Sequence, residues 1–389
     1  MFGESTTTLS FSTVPSHYRE FSDDLLLAQI CQTIGLPKHM HDDAVSRYEA
    51  VGKWLAADPL LRTAKVRIYP QGSLAIGTTN RPLKFAEFDL DAVGECDLDV
   101  GPLEMLNIYE ARLRANATYD RILERKNRCL RLNYKNNFHI DVLPAKPNFD
   151  LPHGCVLVPD RELKCWKHSA PKGFAHWIQG RYRITLVKNF SEVRDYVEPA
   201  PGHQEQKEKF VLQLVIQLIK RARDVEFEDR CELAPVSIVL TTLAGELYHG
   251  EVTVASAVSN FLLRLQHKIK IEGIRGPLKV HNPANQHELL SERWEKNPEA
   301  YEAFLVWVHD FAEVWETFIE SKGIHAKARI LESLFGDPVK GVVLDEVKRF
   351  EAARATSSLH VAGSGSLIIG SSAAAGLRPV QKNTFFGDL

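Results

Sequence analysis

The chain has 389 residues, of which 44% are hydrophobic and 25% charged, with a formal charge of −2. Its length exceeds one ordinary domain, so two packed units are expected, and the near-neutral balance argues against a partner in long nucleic acid, which calls for a basic surface that releases counterions. No apolar run reaches the ~18 residues that cross a bilayer, and the opening MFGESTTTLSFSTVPS lacks a secretory signal's pattern, so a cytoplasmic protein without a membrane partner is expected. Cys31, Cys96, Cys129, Cys155, Cys165 and Cys231 are scattered without a CxxC pair, which reads as free thiols rather than a zinc or redox centre.

In chain order, residues 42–57 place Ala44, Val45, Tyr48, Val51, Gly52 and Leu55 at helical steps, predicting an amphipathic helix that ends near Asp58-Pro59. The period then changes to two. Residues 65–69, 88–93 and 138–143 read as strands, with 131–134 as a partner of the last across a polar turn and a helix over 103–115 in between. Beyond Glu205 long helices take over: 209–223, 237–247, 254–266 and 300–321. In the last, Tyr301, Phe304, Leu305, Val308, Phe311, Ala312, Trp315, Phe318 and Ile319 form one stripe, which is a core stripe rather than a cofactor site. The Pro-rich turn at 197–202 marks a boundary between the sheet half and the helical half. The Ser/Gly/Ala-rich segment after Arg354 reads as a loosely attached tail. The stretch 264–281 carries Arg264, Lys268, Lys270, Arg275 and Lys279 against Glu272, and reads as a solvated helix face, with a phosphate-binding surface as the alternative.

Chemistry gathers in the sheet half. On a strand alternate side chains share a face, so Asp89 and Asp91 project together while Phe88, Leu90 and Ala92 point into the core. Two adjacent carboxylates repel unless positive charge lies between them, and hard divalent cations supply it. In the 138–143 strand His139 and Asp141 share a face, so a neighbouring position would make Asp141 a third ligand. A DxD pair alone is a weak signal, since any exposed strand can carry two acids. The preceding loop, Gln71-Gly72-Ser73, strengthens it: it follows a strand and opens a short helix, so the Gly72 backbone can approach a phosphate and Ser73 with nearby N–H groups can donate to it. The plainer reading of that loop is a turn that needs glycine for positive φ. His139 is a second candidate base, with a histidine satisfied by its neighbours as the bland alternative.

With QGSLAIGTTNRP, EFDLDAV and FHIDVLPA on the page, the sequence resembles the polymerase-β-like nucleotidyltransferases. More narrowly it is similar to the bacterial relatives of cyclic GMP-AMP synthase and oligoadenylate synthetase, the cyclic-oligonucleotide synthases of antiphage (CBASS-type) defence. Further stretches carry the likeness: VPDRELKCWKHSAPKGFAHWI, QLIKRARD with APVSIVL, HNPANQHELLSERW and the terminal VQKNTFFG. The resemblance implies an α+β fold: a mixed-sheet nucleotidyltransferase domain over 1–200, including the N-terminal helix, an oligoadenylate-synthetase-like helical domain over 201–355, and a tail over 356–389. It implies catalytic metal ligands at Asp89, Asp91 and Asp141, nucleotide contacts from Gln71, Gly72 and Ser73, and further contacts at Lys220 and Ser237 in the helical half.

The implied cofactor is a pair of Mg²⁺ or Mn²⁺ ions. The implied substrates are nucleoside triphosphates, ATP and GTP foremost, joined into a cyclic di- or trinucleotide with loss of pyrophosphate. Transfer to RNA or a small molecule, and a non-catalytic nucleotide-binding module, are the alternatives. Fifteen residues separate Ser73 from Asp89, longer than in many relatives, so Arg81-Pro82-Leu83-Lys84 forms an excursion that either touches the triphosphate or is simply solvated. Phe385-Phe386-Gly387 is similar to tails that a ubiquitin-like ligase conjugates, although Asp388 and Leu389 follow the glycine here.

Overall fold

The structure is a computed structural model, and it describes residues 19–20, 23–83, 88–135, 138–152, 154–182, 200–205, 208–361, 367–369 and 378–380. Lys84, residues 197–199 of the 197–202 turn and Phe385-Phe386-Gly387 lie outside these residues. Among the described residues no helix is long and apolar enough to cross a membrane.

The sheet half is built on seven strands: β1 (Arg67–Gln71), β2 (Phe88–Glu95), β3 (Leu123–Arg125), β4 (Leu130–Tyr134), β5 (Phe138–Pro147), β6 (Val156–Asp160) and β7 (Cys165–Ser169). Their order is β1-β2-β5-β4-β3, with β6 and β7 added along the far end of β5. Only β2 and β5 run parallel; every other pair is antiparallel. The alternation read from the sequence explains the layering. Phe88, Leu90 and Ala92, with Ile140 and Val142, are buried against Tyr48, Val51 and Leu55 of α1 (Lys38–Ala56) and Leu106 and Tyr109 of α2 (Pro102–Arg114). At about 1.5–3 kcal/mol for each large apolar side chain taken out of water, this one-sided core fixes which face of the sheet is left for polar groups. The first strand starts at Arg67 rather than at Lys65, because Lys65 adopts φ 54° and cannot extend the ladder.

The helical half centres on α3 (Val211–Glu226), in which every residue from Val211 to Ala222 is buried. Around it stand α4 (Ser237–Leu247), α5 (Val254–Glu272), α6 (Pro298–Glu320) and α7 (Ile324–Phe335). The aromatic stripe of α6 is core, as read: Phe304, Phe311, Trp315 and Phe318 are all below 3% exposed, and Trp307 joins them, whereas Ile319 at 41% falls off the stripe. The basic stretch behaves as a solvated face: Arg264 pairs with Glu251 at 2.6 Å and Lys268 with Glu272 at 2.9 Å.

The hydrophobic cores do not follow the expected division at residue 200. The N-terminal helix Asp23–Ile34 buries Leu26, Leu27, Ile30 and Ile34 in the helical core, and Pro171–Arg181 adds Phe174 and Ile178 to the same cluster. An apolar face joins whichever neighbour covers it, and sequence order does not say which. The 356–389 tail also needs correcting in its described part. Leu359–Val361 pairs with Leu367–Ile369 and with Arg378–Pro379, Leu367–Ile369 pairs with Arg19–Glu20, and Leu359 and His360 are buried. Strands of two or three residues are too short to show a period.

Candidate active site

One rung of the sheet carries the acidic centre. Across four strands, Gln71 of β1 lies beside Asp91 of β2, Asp91 beside Asp141 of β5, and Asp141 beside Arg131 of β4. Neighbouring strands stand about 4.8 Å apart, so the Asp91 and Asp141 carboxylates are side by side, and Asp89 projects from the same face two residues before Asp91. The three acids thus come together from separate stretches of chain. Asp89 and Asp91 line a cleft of about 1620 Å³ between the two halves, together with Gln71, Gly72 and Ser73. Asp141 is not among the residues lining that cleft; both of its carboxylate oxygens accept from the Arg131 guanidinium, each at 2.8 Å.

Gly72 opens a four-residue helix, Gly72–Ala75, at φ 64°, a region that favours glycine. A Cβ at this position would lie 2.2 Å from Asp91 Oδ2. The loop is therefore packed on the acid itself. The hydroxyl of Thr79 donates to Ser73 Oγ at 3.3 Å, and Thr78 N–H donates to the Ser73 carbonyl at 3.0 Å.

The cleft's other wall comes from the helical half. Lys220 of α3 is 7% exposed and lines the cleft, its ammonium donating to the Thr78 carbonyl at 3.2 Å. Ser237, at the start of α4, lines the cleft and accepts from Arg223 at 3.0 Å. Both helical positions singled out in the sequence therefore face the acids' cleft. Sequence reading missed the side chains that hold the loop in place. Gln213 donates to the Ile76 carbonyl at 3.0 Å, Gln217 to the Thr79 carbonyl at 2.9 Å, and Arg221 to the Arg81 carbonyl. The available signal was Gln213, Gln217 and Lys220 at steps of four and three in the otherwise apolar run 211–220. At the opposite rim Arg128 bridges Asp160 at 3.0 Å and Glu292 at 2.5 Å, tying the sheet to the helical half. His139 is 5% exposed and does not line the cleft.

Burial, and after it the charges of Asp89 and Asp141, push the Asp91 carboxyl up to about 8. Burial lowers Lys220 to about 8, against the opposing pull of Asp224 and the two acids Asp89 and Asp91. A carboxyl so raised marks a place where positive charge is missing, and three carboxylates form a hard, all-oxygen donor set that fits a divalent cation. Linkage sets the sign. A folded value of about 8 against the ordinary 3.8 stabilises the cation-free fold below about pH 4, and that contribution fades as pH rises to about 8. In chelator, the melting temperature should fall over that window, and added Mg²⁺ should raise it most at the alkaline end. A thermal-shift series across pH checks this, and a Mg²⁺ effect independent of pH would contradict it.

The family model for the Second Messenger Oligonucleotide or Dinucleotide Synthetase domain matches residues 23–181, the stretch that contains the Gly-Ser loop and all three acids. A c-di-GMP synthase of Roseivirga ehrenbergii is 33% identical over 380 residues, 93% of this chain and 96% of that protein. The chain belongs to this synthetase family. It is accordingly a nucleotidyltransferase. The cyclic dinucleotide synthase CdnG of Bradyrhizobium diazoefficiens is 28% identical over 295 residues, 70% of each chain. The structure of CdnG in complex with GTP superposes with a TM-score of 0.66 at 25% identity, covering 84% of this chain and 99% of that one. The enzyme therefore shares the α+β, mixed-sheet-plus-helical architecture expected from its sequence.

Proposed function

We propose that the enzyme joins two nucleoside triphosphates, GTP foremost with ATP as the alternative, into a cyclic dinucleotide, and that this product is a second messenger in CBASS-type antiphage defence. The observation that carries the reading is the four-strand rung that sets Asp91 beside Asp141 directly under the Gly72-Ser73 loop. The cleft supports it: at about 1620 Å³ it exceeds the roughly 300–1,000 Å³ of a single-ligand pocket, so donor and acceptor fit together. The GTP-bound relative CdnG and the c-di-GMP synthase support guanine.

In this reading Asp89, Asp91 and Asp141 hold two Mg²⁺ or Mn²⁺ ions, which when bound would offset charge on the pyrophosphate and acidify the attacking hydroxyl. The chain's own groups do the rest. Loop amides after Gly72, with the Ser73 hydroxyl, steady the β- and γ-phosphates. Lys220 exchanges the Thr78 carbonyl for a phosphate oxygen and adds charge from the helical half. Asp141 accepts the proton as the acceptor ribose oxygen bonds to the α-phosphorus and the bond to the pyrophosphate oxygen breaks. Repetition on the linear intermediate closes the ring. A ubiquitin-like ligase acting at Gly387 remains part of the proposal on the tail's sequence alone.

Incubation with labelled GTP and with all four triphosphates, followed by phosphatase and mass spectrometry, tests this. The expected result is a phosphatase-resistant species at the mass of a cyclic dinucleotide. A product that keeps a terminal phosphate, or one formed only when RNA is added, would overturn cyclisation.

A further inference from the structure

Arg131 follows Asp141 along the rung on the side away from the Gly-Ser loop, with Glu124 of β3 beyond it. Its guanidinium forms a two-pronged pair with Asp141, both bonds at 2.8 Å, with the two side chains 24% and 13% exposed. Arg131 and Lys220 are the two cations that act on Asp91 against the charges of the other acids. Lys220 is spoken for by the phosphates in the reading above, and Arg131 is not. Asp89 and Asp91 line the cleft, whereas Asp141 does not.

We propose that Arg131 is a positioning residue that restrains divalent-cation binding at Asp141 until substrate phosphates are present. The proposal rests on the reading of the three acids as a cation site. Two physical effects combine. A carboxylate offers about four lone-pair directions; the planar fork of Arg131 takes two and fixes where the remaining ones point. A fixed positive charge about 6 Å from a divalent cation also weakens its binding, by about tenfold even at water's dielectric constant near 80 and by more in a drier site. The triphosphate brings enough negative charge to offset Arg131, so full occupancy of the site coincides with a loaded cleft. Without Arg131, Asp141 is free to turn toward Asp91, and cations bind to an empty enzyme.

The sign makes the proposal testable, because a merely damaged site would bind cations less tightly. Mn²⁺ binding to the full chain is followed by electron paramagnetic resonance, first without nucleotide and then with a non-hydrolysable GTP analogue. Arg131→Met should bind Mn²⁺ at least about tenfold tighter than wild type without nucleotide, with the difference shrinking once the analogue is present. At saturating Mn²⁺ its kcat should fall while its KM for GTP stays within about twofold, since the lost contact orients Asp141 and not the phosphates. Arg131→Lys keeps the charge and loses the fork: its Mn²⁺ affinity should lie between those of wild type and Arg131→Met, and its kcat should still fall. Unchanged or weaker Mn²⁺ binding in Arg131→Met, or full kcat in Arg131→Lys, overturns the proposal and leaves the acid site standing. A wild type that binds no Mn²⁺ would instead sink the acid-site reading, and this proposal with it. Should Arg131→Met fail to fold, Arg131→Gln supplies the charge-free arm with the same expected sign.

Discussion

Asp91→Asn will lower pyrophosphate release from GTP by more than about a thousandfold, roughly 4 kcal/mol of barrier at 1.36 kcal/mol per tenfold, while making the cation-free protein more stable above neutral pH. The two halves of this result have one cause. Asp91 sits between the charges of Asp89 and Asp141 in a buried position that raises its carboxyl to about 8, so in the absence of cations its ionisation opposes folding. Asparagine is nearly isosteric and neutral, and it removes that penalty at alkaline pH. In the proposed reading it also removes the central oxygen ligand of the rung, a side chain adjacent to both Gly72 and Asp141. Activity and melting temperature in chelator therefore move in opposite directions. An Asp91→Asn protein that retains a tenth of wild-type turnover, or that melts lower than wild type in chelator at about pH 8.5, would show that Asp91 is a structural carboxylate.

Gly72→Ala is the second large effect. The added methyl meets two obstacles: a backbone at φ 64°, which costs a non-glycine residue about 1–2 kcal/mol, and Asp91 Oδ2 at 2.2 Å. The loop can relieve the clash only by lifting away from β2 or by pushing the carboxylate aside. Displacements near 1 Å cost about a hundredfold where reacting groups must be aligned, so kcat/KM should drop by roughly a hundredfold or more. The melting temperature should fall by only a few degrees, because the loop carries little of the core. Gly77 offers the comparison. It too has positive φ, 69°, but its added methyl meets Gln204 and Gln213 rather than an acid, so Gly77→Ala should disturb folding and leave the acids in register. Steady-state kinetics with circular dichroism melts separates the two. A Gly72→Ala enzyme with near-wild-type kcat/KM would mean that the loop does not act on Asp91 at all.

Much of the site was legible in one dimension because it obeys period two. Asp89 and Asp91 flank Leu90, and Asp141 follows Ile140; an apolar residue that must enter the core drives its neighbours to the other face, whatever the rest of the chain does. The α6 stripe was legible for the same reason at a period of 3.6, and the Gly-Ser pair because only glycine tolerates that loop. The boundaries at Lys65 and in the tail were missed where a single left-handed residue or a strand of two or three residues carries no period.

Sequence alone thus determined which side chains face away from a core, and with them the chemistry on offer. Tertiary structure decided what meets what. That Asp141 stands beside Asp91 depends on β5 pairing with β2 in one particular register; a slip of one residue would put His139 or Ile140 out of place and turn the acid inward. That Gln213 and Gln217 brace the Gly-Ser loop, and that the Asp23–Ile34 helix belongs to the helical core, depend on surfaces far apart in the chain. Periodicity reports each element's own faces, whereas the choice of partner is settled by packing between elements, and no local pattern records it.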